Sequence, residues 1–197
     1  MGGLVIPRPT PADHSPAFTA EIALVPDAPD FVAMLAAQRE ETTALVGWFG
    51  EGNAGLRYAP GKWSVRETVG HLADVERVLS YRLLRFLRGD ATRLSPFDHD
   101  AYVPAGRFEA RTLTSLLAEL RAVRGATMAL LVDAPPEAFA FVGPVGTGTI
   151  TAAALAYLIA GHELHHQDLL RTRYLPLLTT GAAAGAPAGA PAAGAPD

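Results

Sequence analysis

Proline and glycine fall in blocks along this chain, and the blocks cut it into four stretches of helix length and helix period. The breaks are a Pro-rich start over residues 1–28, Gly50–Gly61, residues 90–111 with Pro96, Pro104 and Gly106, residues 133–149 with Pro135 and Pro136, and Pro176. Proline fixes φ and has no N–H to give, and glycine loses the most entropy on ordering, so both punctuate helices rather than extend them. Each stretch between breaks repeats apolar side chains every three to four positions. Such a helix hides one face only against another helix and is marginal alone. The expected class is therefore all-α, a four-helix bundle with long connections.

The helix ends can be placed from local chemistry. The first helix is expected from about Asp30, a cap, to Phe49, with Phe31, Leu35, Leu45 and Trp48 on its apolar face. Ser64-Val65-Arg66-Glu67 reads as a capping box opening a second helix that stops at Gly89-Asp90. Val75, Leu79, Leu83 and Phe86 fall on its inward side. A third helix runs from about Leu113 to Val132. The fourth begins at a Thr149 or Thr151 cap and reaches about Arg173, with Pro176 ending it; Arg171 and Arg173 suit its negative C-terminal end. The domain reading is an extended arm over 1–28, a bundle over 29–178, and a disordered Ala/Gly/Pro tail over 179–197. Residues 90–111 read as a long loop of the length that lids often have.

Composition excludes several roles. The net charge of −4 argues against nucleic acid as a partner. No stretch reaches the roughly 20 uninterrupted apolar residues of a membrane span, and residues 1–11 lack a signal-peptide core. A cytoplasmic protein is expected. With no cysteine in the chain, a metal site has only histidine and carboxylate ligands to draw on.

Three of the six histidines lie in Gly161-His162-Glu163-Leu164-His165-His166-Gln167. His162 and His166 are one helical turn apart on one face, in line with Leu155, Leu158, Ile159 and Leu169. Buried imidazoles need partners, and a shared cation satisfies two at once. His71, in line with Val75 and Leu79 on the second helix, is the best third ligand, because three protein ligands plus an open position is the catalytic pattern. His165 sits about 100° round from His166 and reads as a rim residue. His14 and His99 read as solvated, and Asp98, His99 and Asp100 as a cluster at a cavity mouth or a chance grouping. His162-Glu163-Leu164-His165-His166 also satisfies the H-E-x-x-H protease pattern, with Glu163 as base. The extended form fails at Leu169 and Thr172, and after Asp168 the next carboxylic side chain is Asp197, so a protease is not expected.

Gly61-Lys62-Trp63-Ser64-Val65-Arg66-Glu67 with Gly70-His71-Leu72-Ala73-Asp74 and Glu76-Arg77 resembles the second-helix signature of the DinB-like superfamily of YfiT-type proteins. Tyr81-Arg82, Arg88-Gly89-Asp90, Phe97-Asp98 and Gly161-His162-Glu163-Leu164-His165-His166 through Arg173-Tyr174-Leu175-Pro176 resemble its later motifs, so the similarity spans about residues 20–178. The resemblance implies an up-down-down-up bundle. It also implies a divalent metal, zinc or nickel, on His71, His162 and His166, and activities that include bacillithiol- and mycothiol-dependent transfer.

An open metal position serves hydrolysis or thiol transfer equally well. Hydrolysis wants a base, for which Asp74, one turn past His71, is the nearest candidate and Glu163 a weaker one. Glu76 lies 140° from His71 by helix geometry and reads as half of an ion pair. Among Arg77, Arg82, Arg85 and Arg88, Arg82 is the candidate to receive a substrate carboxylate. The expected partners are a small-molecule substrate, a low-molecular-weight thiol and a second copy in a homodimer. The rival reading is a non-catalytic metal- or small-molecule-binding stress-response protein whose metal shell is closed.

Overall fold

The computed structural model describes residues 3–179. Four long helices form the bundle: α2 (Phe31–Gly47), α3 (Val65–Leu87), α5 (Leu113–Val132) and α6 (Ala152–Leu169). They are joined by three shorter helices, α1 (Thr19–Leu24), α4 (His99–Gly106) and α7 (Leu175–Thr179), and by a hairpin of β1 (Val142–Val145) and β2 (Gly148–Thr151). The helix starts follow from their caps. Asp30 accepts from Val32 N and Ala33 N at 3.0 and 3.1 Å, a contact worth about 1 kcal/mol. Ser64 and Glu67 form the reciprocal capping box at the head of α3, and Thr151, not Thr149, caps α6.

Interhelical contacts fix the directions. Ser64 at the head of α3 donates to Glu109 just before α5, and Arg124 pairs with Glu76 at mid-helix, so α3 and α5 are parallel. Arg121 reaches Glu40 while Arg124 reaches the Leu35 carbonyl, so α2 and α5 are antiparallel. Gln38 reaches Ala160 O and Arg171 reaches Glu41, so α2 and α6 are parallel. The order is up-down-down-up. A parallel pair needs a return connection spanning a helix of about 30 Å, which is why residues 88–112 form so long a crossover.

The helical frame expected from the sequence is present, with five differences. Residues 1–28 are not a simple extended arm: they hold two 3₁₀ turns and α1, and they bury Ile6, Ile22 and Val25 in the core. Residues 90–111 are not a loop throughout, because Asp98 caps α4 by accepting from Ala101 N. The Pro/Gly-rich stretch 133–149 contributes to the hairpin, closed by a two-residue turn with Gly146 at φ +55. Pro176 does not end the fourth helix: a π-helical turn over Leu170–Tyr174 shifts the hydrogen-bond ladder, and the proline falls in the first turn of α7, where no N–H is needed. Trp48 is 76% exposed and leaves the apolar face to Leu45, Val46 and Phe49. The expected tail lies almost wholly outside the described residues.

The core is organised around α6. Every residue from Ala152 to Gly161 is buried, because α1, α2 and α3 all pack against this helix. A helix buried on all sides carries no polar face, and its alanines let the neighbours approach closely. No helix among the described residues is long and apolar enough to cross a membrane.

Candidate metal centre

The site is built where the head of α3 meets the tail of α6. The capping box starts α3 at Val65, so His71 stands two turns in and faces α6. His162 and His166 stand on consecutive turns of α6, with ring centroids 4.7 Å apart. His71 lies 5.0 Å from the His162 ring and 4.9 Å from the His166 ring. Its Nε2 is 3.1 Å from His162 Nε2. One ligand atom from each of the three lies within 4.8 Å of those of the other two. Trp63 forms the wall behind them, its ring 4.4 Å from His71 and 6.3 Å from His166. The Trp63 carbonyl accepts the Tyr174 hydroxyl at 2.8 Å, so the π turn ties the end of α6 to the entry of α3.

The three rings are held neutral. Burial, then the neighbouring imidazoles, lowers His71 to about 2 and pulls His162 and His166 well below the usual histidine range. Neutral imidazole with a free lone pair is the form that binds a metal. Nitrogens 3.1 Å apart also suit adjacent corners of a tetrahedron with bonds of about 2.0–2.1 Å. The residues present therefore fit a divalent ion. Among the described residues, no fourth histidine or carboxylate joins the cluster.

The histidines sit on a cavity of about 580 Å³. Val75, Leu79, Leu158 and Phe18 supply an apolar stretch of its wall, and Lys62, Arg173 and Asp100 also line it. The structure brings Arg82 into this wall with the three histidines. His165 lines it as well, with its ring 5.2 Å from that of His166. His99, carried by α4, is exposed as expected, and its ring lies 5.5 Å from that of His71.

Neither carboxylate considered as a base faces the cavity. Asp74 lies on the α5 side of α3, paired with Arg77 at 3.4 Å, while Arg77 also reaches Glu119 of α5. Glu163 is buried on the opposite side of α6, hydrogen-bonded to Thr42 and 2.5 Å from Arg124. Rotation about one helix axis sets an angle, but the packing of α5 and α2 decides what fills each side. Glu76 does form the expected ion pair, at 2.8 and 3.0 Å from Arg124.

Glu21 on α1 is the carboxyl group that sequence reasoning missed. It lines the cavity, and burial pushes it up to about 7. The sequence held a weak signal for its helix: Ser15-Pro16 is a cap followed by proline, and Phe18 and Ile22 share a face. Two turns are too short to stand out without tertiary support. Gly161 provides that support, because a Cβ there would lie 2.1 Å from the Glu21 carbonyl oxygen. Gly161→Ala is expected to destabilise the protein by about 1–3 kcal/mol, since backbone must move to admit the methyl. Urea unfolding measures it. An unchanged midpoint would show that α1 is not seated on α6 as described.

The model of the DinB superfamily matches residues 34–170, most of the chain and all four bundle helices. The chain belongs to the DinB superfamily. A solved structure shares the DinB fold: YfiT from Bacillus subtilis, described as a probable metal-dependent hydrolase with an unusual four-helix bundle topology. The two are 20% identical, with a TM-score of 0.65, and the match covers 89% of this chain and 94% of that one. A comparison with curated proteins finds no match.

Proposed function

We propose that this protein is a metal-dependent hydrolase of small molecules, with its ion held by His71, His162 and His166. The observation that carries the reading is the convergence of three neutral imidazoles, from two helices, on a cavity large enough for a small substrate. The description of YfiT as a probable metal-dependent hydrolase supports it. A structural metal would have a fourth protein ligand, and the cluster of three favours the open, catalytic arrangement. A divalent ion so held supplies a water acidified toward neutrality and a Lewis acid for the substrate carbonyl. Imidazole ligands suit zinc and nickel alike.

Glu21 is the proton carrier in this reading. Its carboxylate accepts the proton lost as water adds to the carbonyl, and the resulting acid returns it to the leaving group. A base poised near 7 is well matched to work near neutral pH. The test is metal analysis of the purified protein, followed by an ester and amide panel with and without low-molecular-weight thiols. About one equivalent of divalent ion and metal-dependent hydrolysis without thiol are expected. A protein that binds no divalent ion overturns the reading. Turnover only with a bacillithiol- or mycothiol-like thiol replaces hydrolysis by transfer.

Glu21 also makes a pH prediction. The rate of hydrolysis is expected to rise through about pH 7 as Glu21 ionises, and Glu21→Gln should remove that limb and most of the rate. The sign for stability is opposite. A carboxyl raised in the folded state favours folding while it is protonated, and that benefit is lost as pH rises from the unfolded value near 4.5 through about 7. Glu21→Gln is therefore expected to lose less stability than wild type in thermal melts as pH rises from about 4.5 to about 7. A variant with the wild-type pH profile would remove Glu21 from the chemistry.

A further inference from the structure

Arg82 is a cation in an unusual place. It is 7% exposed, yet among the described residues no carboxylate lies within ion-pair distance of it. Its Nη2 donates to the Ser95 carbonyl at 2.8 Å, and its guanidinium lies 5.1 Å over the Phe97 ring. A guanidinium stays charged in proteins, so it keeps donors in excess of those one carbonyl occupies. Burying such a charge is costly unless an anion meets it. Arg82 also lines the cavity that holds the three histidines.

Its position on α3 gives the cavity a polarity. His71, Val75, Leu79 and Arg82 fall within about 80° of one another round the helix, so they form one stripe. The stripe begins at the histidine cluster, continues as apolar wall, and ends at the arginine about 16 Å further along the helix. Leu158 and Phe18 extend the apolar stretch on the facing elements. Of the two acids in the wall, Asp100 is exposed, and Glu21 is half-buried on the separate helix α1.

We infer that Arg82 is the anion-binding end of this cavity, and that the substrate is an elongated amphipathic acid. Its labile acyl group lies at the histidines, its apolar body along Val75, Leu79 and Leu158, and its carboxylate on Arg82. The inference rests on the hydrolase reading for the identity of the labile end. Arginine suits the other end because its planar fork meets a carboxylate with two parallel hydrogen bonds.

The test uses metal-loaded protein and two homologous series, alkyl hydroxamates and ω-carboxyalkyl hydroxamates, of about four to ten carbons. Calorimetric titration reads the affinity. At the best chain length the carboxylate is expected to tighten binding about tenfold or more. Arg82→Met should erase that gain while acetohydroxamate binds as before, and Arg82→Lys should keep part of it. An arginine that merely anchors Ser95 would change both series alike. No gain at any length in the wild-type protein, or a gain that survives in Arg82→Met, overturns the inference. If acetohydroxamate fails to bind wild type, the hydrolase reading is what fails. The anion site is then read in metal-free protein by octanoate against octanol, where Arg82→Met must abolish a preference for octanoate. A wild type with no such preference overturns the inference there too.

Discussion

His162→Ala is expected to empty the metal site and bring hydrolysis down to background. Among the described residues His162 supplies one of three clustered ligands, and its Nε2 approaches His71 Nε2 to 3.1 Å. Loss of a group that merely supports a ligand costs about 10–100-fold in metal affinity, so loss of a ligand itself should exceed that range. Elemental analysis and calorimetric titration measure it. A second readout does not depend on a substrate. Metal at a hundredfold excess over its dissociation constant stabilises a folded protein by about 2.7 kcal/mol, so zinc or nickel should raise the melting temperature of wild type and not of His162→Ala. His162 is half-open to the cavity, so the truncated side chain leaves space continuous with that cavity and the fold should persist. His165→Ala is the control: its ring neighbours His166 but stands outside the cluster of three, and its metal content should match wild type. Retention of a full equivalent by His162→Ala, with the same melting shift, would refute the assignment of this ligand.

Arg124→Met is expected to cost about 3–5 kcal/mol, the largest stability loss that any charged side chain here should produce. Arg124 is 1% exposed and connects all four bundle helices. It stands on α5, holds Glu76 of α3 with both carboxylate oxygens, lies 2.5 Å from Glu163 of α6, and donates to the Leu35 carbonyl of α2 at 3.3 Å. Gln38, Thr42 and Gln167 continue the network: Gln167 Nε2 donates to Thr42 at 2.7 Å, and Gln38 Nε2 to the Ala160 carbonyl at 2.7 Å. The methionine leaves two carboxyl groups facing each other in the core without a cation. Burial already pushes Glu163 up, against the pull of Arg124. Once that pull is removed, the folded state favours the protonated acid more strongly still, and stability falls as pH rises through the raised value. The deficit should therefore be greatest above neutrality and smaller near about pH 5. Denaturant unfolding at the two pH values checks this. Adding Glu76→Gln and Glu163→Gln should recover part of the loss at pH 8. A single variant as stable as wild type at both pH values would mean that the network contributes nothing net.

This network also explains why Glu163 was misread. It stands between two candidate ligands in sequence, and the H-E-x-x-H spacing presents it as a base. The structure turns it into the back of the bundle, onto Thr42 and Arg124, while His162 and His166 face the cavity. Asp74 was misread for the same reason: nearness to His71 along α3 says nothing of α5, whose Glu119 joins Arg77 on that side.

The helix frame was legible where caps and periodicity act within a few residues. Asp30, the Ser64–Glu67 box and the break at Gly89 are local chemistry, and they placed α2 and α3 to within a residue or two. The three histidines were legible because helix geometry puts His162 and His166 on one face whatever surrounds them. The short elements were not. α1, α4 and the hairpin form too few internal hydrogen bonds to offset the entropy of ordering and exist through what they pack on: α1 on Gly161 of α6, α4 on α3, and the hairpin on Leu94 and Phe86. The sequence by itself determined which segments are helical and which imidazoles share a face. Only the tertiary structure decided that Glu21 and Arg82 share their cavity while Asp74 and Glu163 face away, because which side chains meet depends on how whole helices are rotated and stacked, and that is set by the summed packing of the core.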